Sequence, residues 1–277
     1  MRGRCLLMNE AQEPESPGLE VRTYFVRERN ALLARADFGE LYVDYYLYQG
    51  QIGRQHQPQH DEMLKEALAA VTLHGASRPW NETSAWTIHF QQPLLNVFVS
   101  ATNPQRAVVG QLFTENVKDN GMNLFYADII RTGEQLRRST VDFEGSDVFR
   151  SVERYYRQSE QRPARFFRHG EEDFVMISAQ PDCDEDWLAG LDDEAVRNLD
   201  KTETLSLLEE RRYDWLCGCN QKRMLDVLLP VMKSDPEGLF GDESNVRISC
   251  PRCGMKYTIT RETLEAHVIQ TEAGQGS

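Results

Sequence analysis

The sequence lacks any long apolar run. Of its 277 residues, 40% are hydrophobic and 27% are charged, and no stretch approaches the roughly 18 apolar residues of a membrane-spanning helix. Residues 1–8 begin like a signal peptide, but this apolar run stops at Asn9 and Glu10, short of the about 7–15 residues of an h-region. The sequence therefore predicts a cytoplasmic protein that does not bind membranes.

Positive charge is also scarce. The chain has 31 Lys and Arg residues against 44 Asp and Glu residues, which gives a formal net charge of -13. A nucleic-acid backbone attracts clustered basic residues, and no basic stripe is present. We predict that nucleic acid is not a partner.

The motifs of common enzyme classes are absent as well. The chain has no Gly-rich phosphate loop, no nucleophile elbow and no paired-His motif. We predict no catalytic residues and no enzymatic turnover.

What the sequence does contain is a distinctive cysteine pattern. Cys5 and Cys183 stand alone among the six cysteines. The other four form two close pairs near the C-terminus: Cys217 with Cys219, and Cys250 with Cys253. About 30 residues separate the pairs, a spacing that suits two ligand pairs closing on one ion. Four thiolates favour tetrahedral Zn²⁺, so we predict a zinc site.

Two alternatives to a metal site are four unrelated buried cysteines and two disulfides. A cytosolic chain of this size disfavours disulfides. In an extended chain the Cα atoms of Cys217 and Cys219 would lie roughly 6.6–7 Å apart, at the limit that a disulfide accepts. A disulfide there would be strained and easily reduced, which suits a reversible switch.

Hydrophobic patterning predicts more strands than helices in the first two thirds of the chain. We predict strands within 21–48 and at 86–90, 95–99, 107–113, 124–130, 165–167 and 174–177. We predict helices from Asp61, as N-cap, through Thr72, and at 148–158 and 220–229. Residues 41–48 are the clearest strand, although a buried helix fits so dense an apolar run too. A β-hairpin is predicted to flank Cys250 and Cys253.

Acidic residues become frequent after Gln180. A thin apolar stripe from Trp187 to Leu199, followed by residues 205–211, predicts helix there, either as a solvated connection or as a regulatory linker. The fold class is thus α+β. We predict a flexible tail at 1–19, a sheet domain with packed helices at 20–180, an acidic helical linker at 181–212, a zinc-binding domain with a hairpin and helices at 213–268, and a tail at 269–277.

Three segments resemble the heat shock protein 33 family of redox-regulated holdase chaperones. The first is 155–165, which is similar to that family's Tyr-x-x-x-Ser-Glu-Gln-x-Pro stretch. The second is the Cys217-x-Cys219 pair with the basic residues after it, and the third is Cys250-x-x-Cys253-Gly254. Two family glycine motifs are changed, to Ala34-Arg35-Ala36 and to residues 91–94.

The resemblance implies the function and the roles of the cysteines. The four clustered cysteines would bind zinc when reduced. On oxidation Cys217 would pair with Cys219 and Cys250 with Cys253, zinc would leave, and the linker would unfold to expose apolar surface. The implied partners are unfolding or aggregation-prone client proteins and, after activation, a second copy of the chain.

Two other functions remain open from the residues. The changed glycine motifs fit a constitutive interaction module whose zinc is only structural. The other is a thiol oxidoreductase that uses Cys250 and Cys253. A catalytic Cys-x-x-Cys, however, normally stands at the start of a helix, whereas a β-hairpin is predicted here. Glu160 and Arg165 are predicted to make structural hydrogen bonds, and Cys183 to be inert because acidic neighbours raise its pKa.

Overall fold

The computed structural model describes residues 18–275, so Cys5 and nearly all of the predicted N-terminal tail lie outside it. The strands are β1 (Leu19–Val26), β2 (Ala31–Asp37), β3 (Glu82–Phe90), β4 (Leu95–Thr102), β5 (Ala107–Phe113), β6 (Asn123–Arg131), β7 (Arg137–Phe143), β8 (Ala164–His169), β9 (Asp173–Ala179), β10 (Leu205–Trp215), β11 (Asn245–Ser249) and β12 (Lys256–Thr260). The helices are α1 (Gly39–Gln51), α2 (Pro58–Ala76), α3 (Val148–Gln158), α4 (Glu185–Gly190), α5 (Asp193–Arg197), α6 (Leu199–Thr202), α7 (Gln221–Ser234), α8 (Pro236–Phe240) and α9 (Arg261–Gln275). The predicted α+β class is confirmed.

Ten of the strands form one sheet in the order β7-β6-β3-β4-β5-β10-β1-β2-β9-β8. All neighbours are antiparallel except β10 and β5, which pair in parallel. That parallel contact is short, joining Asp214 with Ala107 and Trp215 with Val108. The C-terminal end of β10 is therefore the seam between two antiparallel half-sheets.

Helix α2 covers one face of this sheet and packs on strands of both halves. Its apolar side chains recur at helical spacing, as Met63, Leu64, Ala67 and Leu68 do, and all four are buried. Near the end of the helix, a Cβ on Gly75 would lie 2.9 Å from the Cβ of Ala101 on β4. Only glycine allows so close an approach of helix to sheet.

Helix α1 corrects the prediction of a strand at 41–48. Tyr and Val favour strands in general, but here they occupy both sides of a helix. Leu41, Tyr42 and Tyr45 are buried on one face, whereas Tyr46 and Leu47 on the other are half or more exposed. The helical spacing of the buried residues, rather than their strand propensity, decides the structure.

Helix α2 begins at Pro58, so Asp61 does not cap it as predicted. The Asp61 carboxylate instead accepts hydrogen bonds from the phenols of Tyr45 and Tyr46, each at 2.6 Å. It thereby ties α1 to α2. Proline is well suited to the first helical position, because its missing N–H would have no partner there.

The other predicted strands and helices of the sheet domain are confirmed, with β5 and α3 found at their predicted bounds. Strand β7 was not predicted. Its sequence carries only two buried apolar side chains, Val141 and Phe143, at its C-terminal end. The hairpin of β11 and β12 and the helix after the first cysteine pair are also confirmed, with α7 reaching Ser234.

The predicted linker range divides into two kinds of structure. The apolar stripe from Trp187 to Leu199 forms three short helices, α4 to α6, and Asp184 and Asp192 cap the first two. Residues 205–211 are not helical but begin β10, which pairs along its length with β1. Backbone pairing with a neighbouring strand overrides the local composition here.

The domain boundaries stay predictions, and two elements cross them. Strand β10 continues past residue 212 to Trp215, and α9 continues past residue 269 to Gln275.

The linker helices cover the sheet face opposite α2. Successive residues of a strand point to opposite faces, so Phe166 packs in the α2 core and Phe167 against the linker. Leu188, Val196 and Leu199 are buried on this second face. The sheet is thus apolar on both sides where the linker lies.

Glu82 is a buried charge within the sheet domain. Its carboxylate accepts hydrogen bonds from Arg78 at 2.7 Å and from Arg131 at 2.9 Å, and the side chain is 0% exposed. Replacing Glu82 by Ala would remove the buried carboxylate that these two partly buried guanidinium groups share. We expect Glu82→Ala to lower the free energy of unfolding by about 3–5 kcal/mol, measured by urea denaturation of the reduced protein.

Glu134→Ala is the matched control. Glu134 also contacts Arg131, at 3.7 Å, but its side chain is 52% exposed, so its loss should cost less than about 1 kcal/mol. Equal destabilisation by the two substitutions would contradict this assignment.

Candidate metal centre

The four clustered cysteines converge on one point. Their sulfurs all lie within 4.8 Å of one another. The Sγ atoms of Cys217 and Cys250 are 3.7 Å apart, and those of Cys219 and Cys253 are 3.5 Å apart. Four sulfurs about 2.3 Å from a tetrahedral ion would be separated by about 3.8 Å. The arrangement is therefore compatible with a metal ion held by four thiolates.

The first pair is positioned by the end of β10 and the start of α7. Trp215, two residues before Cys217, packs edge-on against Tyr45, with ring centroids 5.3 Å apart. Between the cysteines, Gly218 has a φ of 66° and its carbonyl accepts a 2.7 Å hydrogen bond from Arg223. This left-handed glycine turns the chain so that both sulfurs face the same point.

The second pair lies in the turn between β11 and β12. The N–H of Cys250 donates to the carbonyl of Met255, and the N–H of Gly254 donates to the carbonyl of Cys250, both at 2.8 Å. Gly254 has a φ of 82°, and a Cβ there would lie 2.6 Å from Nη1 of Arg54. The backbone conformation favours glycine, and an added Cβ would displace the guanidinium of Arg54.

Burial differs between the two pairs. Cys250 and Cys253 are 2% and 1% exposed, whereas Cys217 and Cys219 are only partly buried. Cys217 borders a cavity of about 170 Å³ that Arg223 and Arg252 also line. A small reagent would reach the first pair more readily than the second.

Hydrogen bonds and cations offset the negative charge of the sulfurs. The phenol of Tyr257 donates to Cys219 at 3.0 Å. Hydrogen bonding with Cys217 and Cys253 lowers the pKa of Cys250, so one thiolate is favoured within the cluster. Among the basic residues predicted to help, Arg223 and Arg252 lie beside the site, while Lys222 and Lys256 are exposed.

The domain around the cysteines has a thin apolar core. Its buried cluster consists of five residues: Leu225, Leu228, Phe240, Ile259 and Leu264. So small a core supplies little stability by itself. A metal ion bound by both cysteine pairs would supply much of what is missing.

The sulfur cluster also packs on the sheet domain. Val109 of β5 and Tyr48 of α1 belong to the same apolar cluster as Cys250 and Cys253. The hydroxyl of Tyr48 is buried, and within residues 18–275 it has no nitrogen or oxygen partner. These contacts, like the contact of Arg54 with Gly254, could not be predicted from the sequence. No local sequence pattern indicates a contact between distant segments.

The remaining predicted residues lie apart from the cluster. Glu160 accepts hydrogen bonds from Tyr155 and Arg78, and Arg165 donates to the carbonyl of Ala189, so both are structural as predicted. Cys183 is a partly buried free thiol packed against the linker cluster. Its pKa is raised, chiefly by burial and further by Glu185 and Asp184, which favours the inert thiol.

Comparison with known proteins finds similarity to Hsp33 chaperonins. The family model described as Hsp33 protein matches residues 168–260, a range that includes all four clustered cysteines. The 33 kDa chaperonin of Proteus mirabilis is 23% identical over 264 residues, covering 82% of this chain and 90% of that protein. The 33 kDa chaperonin of Photorhabdus laumondii is 22% identical over 266 residues, covering 84% and 92%. The chain is thus similar to Hsp33 proteins along most of its length, in agreement with the resemblance found in its sequence.

The fold agrees with that of a solved Hsp33 structure. The crystal structure of the 33 kDa chaperonin of Thermotoga maritima matches with a TM-score of 0.69 over 92% of this chain and 99% of that one. Sequence identity is only 14%, so this match concerns the fold. None of the helices within residues 18–275 combines the length and apolar character that crossing a membrane requires.

The contribution of Gly254 to holding the site can be tested experimentally. We expect Gly254→Ala to speed the transfer of Zn²⁺ from reduced protein to a chromogenic chelator by roughly fivefold or more. The cause would be strain at a left-handed residue together with displacement of Arg54.

Gly133→Ala serves as the control. Gly133 has a φ of 83°, and an added Cβ would have no atom within 4 Å. It introduces the same backbone strain far from the cysteines and should leave the transfer rate unchanged. Equal acceleration in both variants would show that the geometry of the Gly254 turn does not hold the site.

Proposed function

We propose that this chain is a redox-regulated holdase: a chaperone that binds unfolding proteins after oxidation of a four-cysteine zinc site. The observation that carries the proposal is the set of four sulfurs within 4.8 Å of one another, in a domain whose main apolar cluster has five buried residues. Cys217, Cys219, Cys250 and Cys253 would hold one Zn²⁺ when reduced. The proposed activity is binding without catalysis, in the cytoplasm, with no role for nucleic acid or membrane.

Oxidation would act by removing the cross-link between two segments. Two sulfur contacts link the pairs: Cys217 lies 3.7 Å from Cys250, and Cys219 lies 3.5 Å from Cys253. The family pattern implies that disulfides form instead within each pair. As each disulfide forms, its two thiolates would give two electrons to the oxidant, for example one hydrogen peroxide, which with two protons becomes two waters. The metal would lose its ligands, and the hairpin would no longer be tied to the end of β10.

Clients would bind the apolar surface that is buried between the linker and the sheet. Helices α4 to α6 have only four to six residues each, and helices this short are unstable without tertiary packing. They cover an apolar sheet face formed by Val26, Ala31, Leu33, Phe167, Val175, Ile177 and Ala179. Detachment of the linker would expose this face and the apolar side of the linker itself. Unfolding proteins, which expose apolar segments, are the expected partners, and the exposed face could also join two copies of the chain.

A second candidate is a constitutive interaction module with a purely structural zinc ion. It is favoured by β10, which pairs with β1 from Leu19–Tyr213 to Val26–Leu205. This pairing does not involve the cysteines, and it could keep the linker docked after metal loss. In that case the reduced, zinc-bound form would bind the partner best.

The two candidates differ in what oxidation does. We expect that peroxide with mild heat, or hypochlorite, releases one Zn²⁺ per chain and consumes four thiols. The same treatment should suppress light scattering by a thermally unfolding client protein, because the apolar face becomes available.

Cys183→Ser is the matched control, because it removes a thiol outside the cluster. It should leave zinc release, the consumption of four thiols and the suppression of light scattering unchanged. Zinc release with unaltered client aggregation would contradict the holdase. Better partner capture by the reduced protein would support the structural module instead.

A further inference from the structure

The turn between β1 and β2 holds both ends of the linker. A short 3-10 turn, Arg27–Arg29, precedes Asn30, whose φ of 47° directs the chain back into β2. The carbonyl of Arg29 accepts from the N–H of Asp184 at 3.1 Å, just before α4. The N–H of Arg27 donates to the carbonyl of Thr204 at 3.1 Å, just after α6. The three linker helices therefore form a loop closed on one turn.

The Arg29 side chain also connects the two ends of the linker. Its Nη1 lies 2.7 Å from a carboxylate oxygen of Asp184, and its Nε lies 3.0 Å from one of Glu203. The guanidinium also lies over the ring of Trp187, 5.5 Å from the centroid. One side chain thus contacts the first helix and both ends of the linker.

The partners of Arg29 are themselves tied to linker structure. Asp184 also accepts from the N–H of Trp187 at 3.0 Å, which caps α4. The Glu203 side chain is only 10% exposed, so its charge needs a partner more than a surface carboxylate does. Only a planar fork with several donors can bond two carboxylates and stack on an indole, which distinguishes arginine from lysine.

We propose that Arg29 is the latch residue that keeps the linker docked, so that its loss frees the linker while the metal site stays intact. The inference deepens the proposed function and rests on it for the link to client binding. Unlike the cysteine site, Arg29 lies on the sheet domain, so the linker would be regulated at a second position away from the cysteines. Opening at Arg29 would release both ends of the loop together.

Arg22 provides a matched control. It is also an arginine of β1 with carboxylate partners, but these are Glu20 at 2.7 Å and Glu210 at 3.1 Å, on β1 and β10. It has no contact with α4, α5 or α6 among its ion pairs and hydrogen bonds. Arg22→Met removes the same chemistry without touching the linker helices.

The test is hydrogen exchange of the reduced, zinc-loaded full chain. We expect Arg29→Met to speed amide exchange in residues 185–202 about tenfold, with one Zn²⁺ retained. Arg22→Met should stay within about twofold of the wild type. Arg29→Lys should fall between, because lysine keeps the charge but cannot make all three contacts. Glu203→Gln, a milder change, should also speed exchange in this segment.

The same variants distinguish failure of the latch proposal from failure of the proposed function. Unchanged exchange in Arg29→Met and Glu203→Gln would overturn the latch, even if oxidised wild type protects a client. Faster exchange with metal retained, but without suppression of client aggregation, would leave the latch standing and count against the proposed function. Faster exchange with client protection before any oxidation supports both.

Discussion

The interaction on which the rest depends is the meeting of four sulfurs from two distant segments. One pair follows the last residue of a strand in the large sheet, and the other lies in a hairpin more than 30 residues later. Among the described residues of the module between and beyond them, six apolar side chains other than the cysteines are buried, too few to define a stable domain by hydrophobic burial alone. A bound ion would replace the missing core with coordination bonds. Its removal would therefore act on the whole module.

The sheet domain is stabilised by a different kind of interaction. Trp86 and Phe125 of the sheet pack with Tyr155 of α3, with ring centroids 4.9–5.8 Å apart, and this core does not depend on the cysteines. Strand β10 belongs to that sheet at one end and leads to Cys217 at the other. It is thus the physical connection between the module that carries the four cysteines and the linker helices docked on the apolar face of the sheet.

The sequence allowed the site to be predicted more fully than the fold. A metal centre requires its ligand types at short local spacing with a permissive glycine, so Cys250, Cys253 and Gly254 are readable without a structure. Helix α1 is not, because its aromatic residues satisfy strand propensity while their burial follows helical spacing. The strand at 205–211 and the contact of Arg54 with Gly254 arise from pairing between distant segments. Nothing in the local residues specifies them.

The most direct test is hydrogen exchange of the reduced protein, with metal content measured on the same sample, before and after addition of a strong chelator. The account predicts one Zn²⁺ per chain at the start, and loss of protection across residues 217–260 once the ion is removed, while α2 and β3–β6 keep theirs. Reduced protein without stoichiometric metal, or with unchanged protection of residues 217–260 in chelator, would contradict it.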